Sequence, residues 1–306
     1  MAINQQVPPL VFFGTGPVAA KSLRLLAKKF AIESIITKPK PVHHRGSAPV
    51  LDVASELGIT ALTVGNKDEL DELFKTKPVK SRVAILIDFG IIVSQAVIDY
   101  FPLGIINSHF SVLPDLRGAD PITFAILSGQ EKTGVSLMKV VKAMDEGPLV
   151  GYGEYILPED ITGPELTDIL IDLSDTLLEH EVPRIVSEQS QEAPQSVTKR
   201  DITYSRRLTK EDGRLIWSKP VAVLEREVRA FQGWPGSYTT IANDIDITIT
   251  AAAISTEKGP PGSVSFDKQR LVIYASDGAL VIEKLKPSGK NEMTVQSFLS
   301  GYSAKL

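Results

Sequence analysis

Asn107 and His109 are the side chains best suited to chemistry, because they follow a bare aliphatic run, GII, with only Ser108 between them. Alternation along a strand directs two such residues to the same face. A carboxamide N–H can stabilise the oxyanion of a tetrahedral intermediate, and an imidazole can take the proton of an attacking amine. The pair therefore predicts acyl transfer to an amine.

A carboxylate should accompany an imidazole that works as a base, because the carboxylate orients the ring and stabilises its charged form. Asp145, in KAMDEGPLV, follows a later predicted strand, and Glu146 is the adjacent alternative. An aspartate ahead of a glycine is equally a good turn residue, so a purely structural role stays open. Ser111–Pro114 and Arg117–Gly118 predict a kinked loop that walls the site.

Alternating strands and helices must position these residues. Strands without polar alternation, separated by helical patterns, indicate a parallel sheet covered on both faces. The predicted strands are Leu10–Phe13, Ala31–Thr37, Thr60–Val64, Val83–Ile87, Gly104–Ser108, Gly134–Val141 and Leu149–Ile156, the last two forming an edge hairpin. The predicted helices are Val18–Phe30, Pro49–Leu57, Asp68–Phe74, Gln95–Tyr100, Pro121–Leu127 and Leu166–Val182. Asn107 and His109 then lie where a parallel strand ends, the usual ligand-binding edge of open α/β sheets.

The composition changes at the polar stretch SEQSQEAPQSVTKRD, residues 187–201, which is typical of an interdomain linker. We predict a first domain at residues 1–190, a linker at 191–206 and a second domain at 207–306. The second domain has one predicted helix, Val221–Phe231. Its short strands indicate a small antiparallel β-barrel and are Ser237–Ile241, Ile245–Ile254, Gly262–Phe266, Leu271–Tyr274 and Ala279–Lys286.

Composition excludes several classes of function. The chain has no cysteine, so disulfides, thiolate catalysis and cysteine-bound zinc are excluded. Of its four histidines, the adjacent His43 and His44 lie in a Pro-rich basic loop, so we predict no metal site. From Arg206 onward, 14 Lys and Arg accompany 11 Asp and Glu, although the net charge is −4 overall, so the second domain suits an anionic partner. With no export signal, membrane-length apolar run or heptad pattern, we expect a cytoplasmic monomer that does not contact membranes.

A glycine-rich turn near the N-terminus gives a competing hypothesis. The sequence GTGPVA at residues 14–19 fits the G-x-G-x-x-A form of the dinucleotide fingerprint. The second strand ends at Thr37 without the acid that would hold a ribose 2′-hydroxyl. A 2′-phosphate could instead be accepted by the nearby cations Lys38, Lys40 and Arg45. We favour a tight strand-to-helix turn and predict no nicotinamide, because the densest chemistry lies at a later strand.

The quoted segments resemble a known family. NSHFSVLPDLRGADP followed by MDEGP is similar to the signature of the folate-dependent formyltransferases, and FFGTGPVAAKSL resembles their opening strand–turn–helix. TYSRRLTKEDGRLIW, VRAFQGWPGSYT and LKPSGKNEMTVQSFLSGY resemble the C-terminal half of those members that act on methionyl-tRNA. The resemblance covers nearly the whole chain. It implies an α/β fold: a doubly wound, mostly parallel, Rossmann-like sheet followed by a small OB-like β-barrel.

The resemblance also implies a reaction, namely transfer of a formyl group from 10-formyltetrahydrofolate to the α-amine of methionyl initiator tRNA, without a metal. In it, Asn107 binds the formyl oxygen, His109 supports attack by the amine, and Asp145 holds His109. The expected folate contacts are Ile87, Asp88, Phe89, Gly90, Ser111, Leu113, Pro114, Val140 and Met144. The expected tRNA contacts are Lys38, Lys40, Arg45, Arg206 and Arg207.

Two departures from the family pattern and two alternative functions accompany this interpretation. Asp88 and Asp120 replace small or apolar residues, and we expect Asp120 to cap the helix that begins at Pro121. One alternative is formylation of a nucleotide-linked amino sugar, which needs the same catalytic domain. The other is an RNA-binding relative without turnover, which the intact set of Asn, His and Asp disfavours.

Overall fold

The computed structural model describes residues 7–40, 46–242 and 244–306. The chain forms two compact units. The first comprises Met1–Gly118, Lys132–Ile156 and Thr167–Ser205, and the second comprises Ala119–Glu131, Leu157–Leu166 and Arg206–Leu306. The linker predicted at residues 191–206 stays a prediction as a domain boundary. No helix among the described ranges is long and apolar enough to cross a membrane.

The first unit is built on a seven-stranded sheet with the order β3-β2-β1-β4-β5-β7-β8. Its first five strands are parallel, and β7 and β8 are antiparallel, as predicted for an edge hairpin. The seven strands of this sheet are β1 (Leu10–Gly14), β2 (Ile32–Thr37), β3 (Ala61–Thr63), β4 (Ala84–Ile87), β5 (Ile105–His109), β7 (Lys132–Lys139) and β8 (Leu149–Ile156). Two short strands outside it are β6 (Arg117–Gly118) and β9 (Tyr204–Ser205). The short β6 and β9, which the sequence did not predict, pair in parallel.

Helices cover this sheet where the sequence places helical patterns. They are α1 (Pro17–Leu26), α2 (Pro49–Leu57), α3 (Lys67–Thr76), α4 (Gln95–Tyr100) and α6 (Gly163–Val186). Helix α5 (Pro121–Ser128) belongs to the second unit. Proline at the first position of α1 and α2 suits a helix start, because its missing N–H has no partner there anyway. The prediction for α1 was wrong at its C-terminal end, since the helix stops at Leu26 rather than Phe30.

Alternating residues of the strands pack against different helices. Phe13 of β1 contacts the rings of Phe74, Phe89 and Phe101, with ring centroids 6.0, 5.3 and 6.1 Å away. On β5, the Ser108 hydroxyl lies 2.7 Å from that of Ser174 on α6, and both residues are buried. Because successive residues of a strand face opposite sides, this contact leaves the neighbours of Ser108 on the other face.

The second unit contains an antiparallel sheet whose strands run in the order β10-β11-β14-β13-β12, with β15 paired to β14. The elements are α7 (Val221–Ala230), β10 (Ser237–Ile241), β11 (Ile245–Ser255), β12 (Val264–Phe266), β13 (Leu271–Tyr274), β14 (Ala279–Pro287), β15 (Met293–Thr294) and α8 (Val295–Tyr302). Register shifts in β11 curl the sheet, and Leu224, Ile249 and Phe298 are buried in its core. This curled antiparallel sheet is consistent with the predicted OB-like domain.

The role predicted for Asp120 was wrong in its detail. Asp120 does occupy the N-cap position of α5, but its side chain makes no capping bond. Its backbone is left-handed, with φ of 56°, and its carboxylate instead accepts the backbone N–H of Leu208 at 2.9 Å. The carboxylate therefore ties two segments of the second unit together.

The β7–β8 hairpin gives a test of how tightly the first unit is packed. A Cβ added at Gly134 would lie 2.0 Å from the carbonyl oxygen of Gly153 and 2.7 Å from Val112 Cγ2. We expect Gly134→Ala to lower the free energy of unfolding by about 1–3 kcal/mol, because backbone must move to admit the methyl group. Denaturant unfolding followed by circular dichroism measures it.

Gly301 supplies the matched control, because an added Cβ there meets nothing within 4 Å and the residue lies exposed in α8. Gly301→Ala should raise the unfolding free energy by about 0.5–1 kcal/mol, since alanine favours helices. Equal stability of Gly134→Ala and the unchanged protein would show that the hairpin can relax around the methyl group.

Candidate active site

Asn107 and His109 lie at the carboxyl end of β5, between parallel β4 and antiparallel β7. His109 is buried, and its Nε2 lies 2.9 Å from the carbonyl oxygen of Leu116. Because a carbonyl can only accept, this contact assigns the proton of the neutral ring to Nε2. The other nitrogen, Nδ1, is therefore left to receive a proton.

The carboxylate of Asp145 joins the amide and the imidazole. Asp145 Oδ2 lies 3.9 Å from His109 Nδ1, and Asp145 Oδ1 accepts from Asn107 Nδ2 at 3.4 Å. Oδ2 also accepts the backbone N–H of Gly118 at 2.7 Å. The structure therefore brings together the three residues that the sequence and the resemblance singled out, within one unit.

Glu146, the alternative carboxylate, points elsewhere. Its Oε1 pairs with Arg117 Nη1 at 3.2 Å, and its side chain is about half exposed. Only Asp145 of the two faces the imidazole. Asp145 adopts a left-handed backbone with φ of 54°, a conformation that costs an L-residue roughly 1–2 kcal/mol and is least unfavourable for Asp and Asn.

The loop after β5 is held by buried hydroxyl groups. The hydroxyl of Ser136 on β7 accepts the N–H of Leu113 at 2.9 Å and donates to the carbonyl of Ser111 at 2.8 Å. The side chains of both Ser111 and Leu113 are buried, and Leu113 packs on Met138 and Leu149. Pro114 lines an open cavity of about 580 Å³.

The segment after β4, predicted to contact folate, is partly core and partly surface. Ile87 and Phe89 are buried, whereas Asp88 and Gly90 are exposed. The Gly90 carbonyl accepts from Lys38 Nζ at 2.7 Å, so a lysine predicted to contact tRNA touches the segment predicted to contact folate. On the segment before Asp145, Val140 is half-buried and Met144 is 69% exposed.

Asp88 also bears on the glycine-rich turn. The Asp88 carbonyl accepts the Thr15 N–H at 3.0 Å, and a Cβ at Gly16 would lie 2.0 Å from Asp88 Oδ2. The Asp88 carboxylate thus lies against Gly16, ahead of α1, where a dinucleotide would place its pyrophosphate. Two anions repel in that space, which favours the interpretation of GTGPVA as a strand-to-helix turn.

The other predicted cations differ in their surroundings. Lys40 and Arg207 are exposed, and Arg45 lies outside the described residues. In the second unit, Arg206 pairs with Asp212 and its guanidinium lies 5.9 Å from the centre of the Phe124 ring. Hydrogen bonding to Arg206 holds the pKa of Asp212 well below its ordinary range.

Sequence reasoning missed Gln195, which lies inside the predicted linker. It is buried in the first unit and its Nε2 donates to the carbonyl of Asp145 at 2.7 Å. Its only signal was a preceding proline in a polar stretch, which does not identify a contact. Among the described residues, no group of three or more His, Asp or Glu could hold a metal ion.

The arrangement suits nucleophilic attack on a small carbonyl compound. A carboxamide donor for a developing oxyanion, an imidazole with one nitrogen left to take a proton, and a carboxylate to stabilise the imidazolium lie together at the end of one strand. The Asp145 carboxylate is held by the backbone N–H of Gly118.

Comparison with known proteins agrees with this chemistry. A "Formyl transferase" family model matches residues 11–177, and a "Formyl transferase, C-terminal domain" model matches residues 207–303. Proteins named methionyl-tRNA formyltransferase from Pseudomonas putida and Symbiobacterium thermophilum are 33% and 32% identical to this chain, over 92% and 95% of it and 92% of each relative.

A solved structure has the same fold. The N-formyltransferase from Helicobacter canadensis, crystallised with folinic acid and dTDP-3-aminofucose, superposes with a TM-score of 0.65 at 18% identity, covering 89% of this chain and 97% of that one. At that identity the similarity concerns the fold alone. The matches of both family models and of full-length relatives show that this chain belongs to the formyl transferase family.

Proposed function

We propose that this protein transfers the formyl group of 10-formyltetrahydrofolate to the α-amino group of methionyl initiator tRNA, in the cytoplasm and as a monomer. The observation that carries the proposal is the convergence of Asn107, His109 and Asp145 at the end of β5. Full-length relatives named methionyl-tRNA formyltransferase support the choice of acceptor. The basic excess beyond Arg206 suits an RNA partner.

The three residues divide the work of the reaction. As the neutral amine bonds to the formyl carbon, Asn107 Nδ2 donates to the oxygen that becomes anionic, an interaction worth about 2.7–4 kcal/mol. His109 takes the proton of the amine, and Asp145 stabilises the imidazolium. When the oxyanion re-forms the carbonyl, the bond between the formyl carbon and the donor nitrogen breaks. His109 gives its proton to that nitrogen and so returns to its neutral form. His109 in this role contributes roughly 10²–10⁴ in rate.

The donor would bind along the ends of β4, β5 and β7. We assign its contacts to the nine residues expected from the resemblance, and their burial divides them. Gly90 and Met144 offer exposed groups, whereas Ser111 and Leu113, whose side chains are buried, can contribute backbone groups or shape only. Lys38 supports this surface because its ammonium holds the Gly90 carbonyl.

Substitutions of the three central residues test the chemistry. We expect Asn107→Ala to lower the single-turnover rate constant of formyl transfer to methionyl initiator tRNA by about 10²–10³-fold, because an oxyanion donor is removed. His109→Ala should lower it by about 10²–10⁴-fold, through loss of the proton acceptor, and Asp145→Ala should lower it strongly as well. Radiolabelled formyl transfer with enzyme in excess measures each rate constant.

Asp201→Ala is the control, since Asp201 is an exposed aspartate of the same unit. It should keep the unchanged rate, and circular dichroism should show that all four variants are folded. A near-normal rate for any of the three would remove that residue from the mechanism. If the protein without substitutions does not formylate methionyl initiator tRNA, the proposed function is rejected.

Formylation of a nucleotide-linked amino sugar is the second candidate. It is favoured by one observation, the shared fold with the Helicobacter canadensis protein that was crystallised with dTDP-3-aminofucose. The higher identity to full-length proteins of the methionyl-tRNA group favours RNA instead. Offering both acceptors to the same enzyme preparation decides between them.

The predicted cations allow a test of the RNA surface. Lys40→Ala and Arg207→Ala should each raise the KM for tRNA, because each removes a cation that neutralises a phosphate. Each should also reduce the slope of the salt dependence of tRNA binding by roughly one unit for every phosphate so affected. The KM for the folate donor should not change. Lys77→Ala is the control, because Lys77 is exposed but was not predicted to bind RNA.

Lys38→Ala should behave differently from these variants. Because Lys38 Nζ holds the Gly90 carbonyl, its loss should raise the KM for the donor as well. Unchanged tRNA kinetics in Lys40→Ala and Arg207→Ala together would contradict the assignment of the cations to RNA binding.

A further inference from the structure

Residues after α6 return to the turn that carries Asp145. Gln195 opens a short 3₁₀ turn, Gln195–Thr198, and only 7% of its surface is exposed. Its Nε2 donates to the carbonyl of Asp145 at 2.7 Å and to the carbonyl of Gly147 at 3.0 Å. One buried amide group therefore holds the backbone on both sides of Glu146.

Arg117 fixes the orientation of the Gln195 amide. Its Nη2 and Nε donate to Gln195 Oε1 at 2.7 and 3.2 Å, and a guanidinium can only donate. The amide oxygen must therefore face Arg117 and the NH₂ group must face the two carbonyls. Arg117 also pairs with Glu146, so it contacts the same turn directly.

The turn that Gln195 holds contains a backbone conformation that is energetically unfavourable for L-residues. Asp145 has a φ of 54°, and a Cβ added at Gly147 would lie 1.7 Å from the Lys139 carbonyl oxygen. Such a conformation persists only where surrounding contacts impose it. The donors of Gln195 are contacts of that kind, and they act on the backbone of the residue whose carboxylate faces His109.

We propose that Gln195 is a positioning residue for formyl transfer, because it fixes the Asp145 turn and thereby the alignment of the Asp145 carboxylate with His109. The proposal rests on the proposed function. Gln195 meets no reacting group itself, so its removal should slow the chemical step and leave the binding of both substrates unchanged. A displacement of about 1 Å at such a site can cost about 10²-fold in rate.

The test compares Gln195→Ala and Gln195→Glu with Gln191→Ala. Gln195→Glu keeps an oxygen for Arg117 but loses the two donors to the turn. Gln191 is a matched control, since it is an exposed glutamine in the same segment. The single-turnover rate constant, which does not depend on the fraction of active enzyme, should fall by about 10²-fold in both Gln195 variants. It should stay within twofold in Gln191→Ala, with both KM values within about threefold throughout.

A second background separates positioning from simple stability. In Asp145→Ala, adding Gln195→Ala should slow the residual reaction by less than threefold, because residues that act as a unit are not additive. Three results would each overturn the proposal. They are a further loss of about 10²-fold in the rate constant in the Asp145→Ala background, a normal rate constant in Gln195→Ala, or a loss in Gln191→Ala as large as that in Gln195→Ala.

Amide hydrogen exchange tests the clamp without any turnover. The Gly118 N–H donates to Asp145 Oδ2, so its protection reports whether that carboxylate is held. Protection of Gly118 should fall at least tenfold in Gln195→Ala, while the Leu116 N–H, bonded to Thr203 Oγ1, stays protected as an internal reference. Undiminished protection of Gly118 in Gln195→Ala would overturn the inference. If Gln195→Ala loses this protection but the unsubstituted protein transfers no formyl group, only the proposed function is rejected.

Discussion

The left-handed backbone at Asp145 is the constraint on which the active-site geometry depends. With φ of 54°, the chain turns so that the Asp145 side chain faces Asn107 and His109 rather than following Glu146 towards Arg117. A glycine would adopt this conformation more readily, but it would carry no carboxylate. The protein therefore keeps an aspartate there and surrounds it with contacts that impose the conformation.

Those contacts come from parts of the chain that are distant in sequence. Gly118 supplies a backbone N–H to the carboxylate, and its own φ of 101° and the approach of the Ser205 carbonyl, 2.4 Å from where a Cβ would be, require glycine. Strand pairing of β6 with β9 fixes Gly118 in this place. A buried hydroxyl at Ser136 anchors the start of the same loop.

This architecture explains how an α/β sheet supports acyl transfer without a nucleophilic side chain. The acceptor amine is itself the nucleophile, so the protein needs to supply an oxyanion donor, a proton acceptor and a fixed charge. In the proposed mechanism, the end of β5 provides the first two at alternate positions, and the turn after β7 provides the third. The Asp88 carboxylate lies beside Gly16 and would repel a phosphate bound at the glycine-rich turn.

The amino-acid sequence was enough to predict the order of the elements, the parallel character of most of the sheet, and Asn107, His109 and one of two adjacent acids as the residues to test, with the family resemblance favouring Asp145 over Glu146. These follow from local patterns, since aliphatic runs, helical periodicity and the end of a strand are readable along the chain. The three-dimensional structure added that Asp145 rather than Glu146 faces His109, that Asp120 bonds to Leu208 instead of capping a helix, and that Gln195 contacts the Asp145 turn. The contacts of Gln195 and Asp120 join residues that are 50 and 88 positions apart in the chain, and no local sequence pattern encodes such pairs. Which of the adjacent Asp145 and Glu146 faces inward depends on the backbone dihedral angles of the turn, which a local pattern does not encode either.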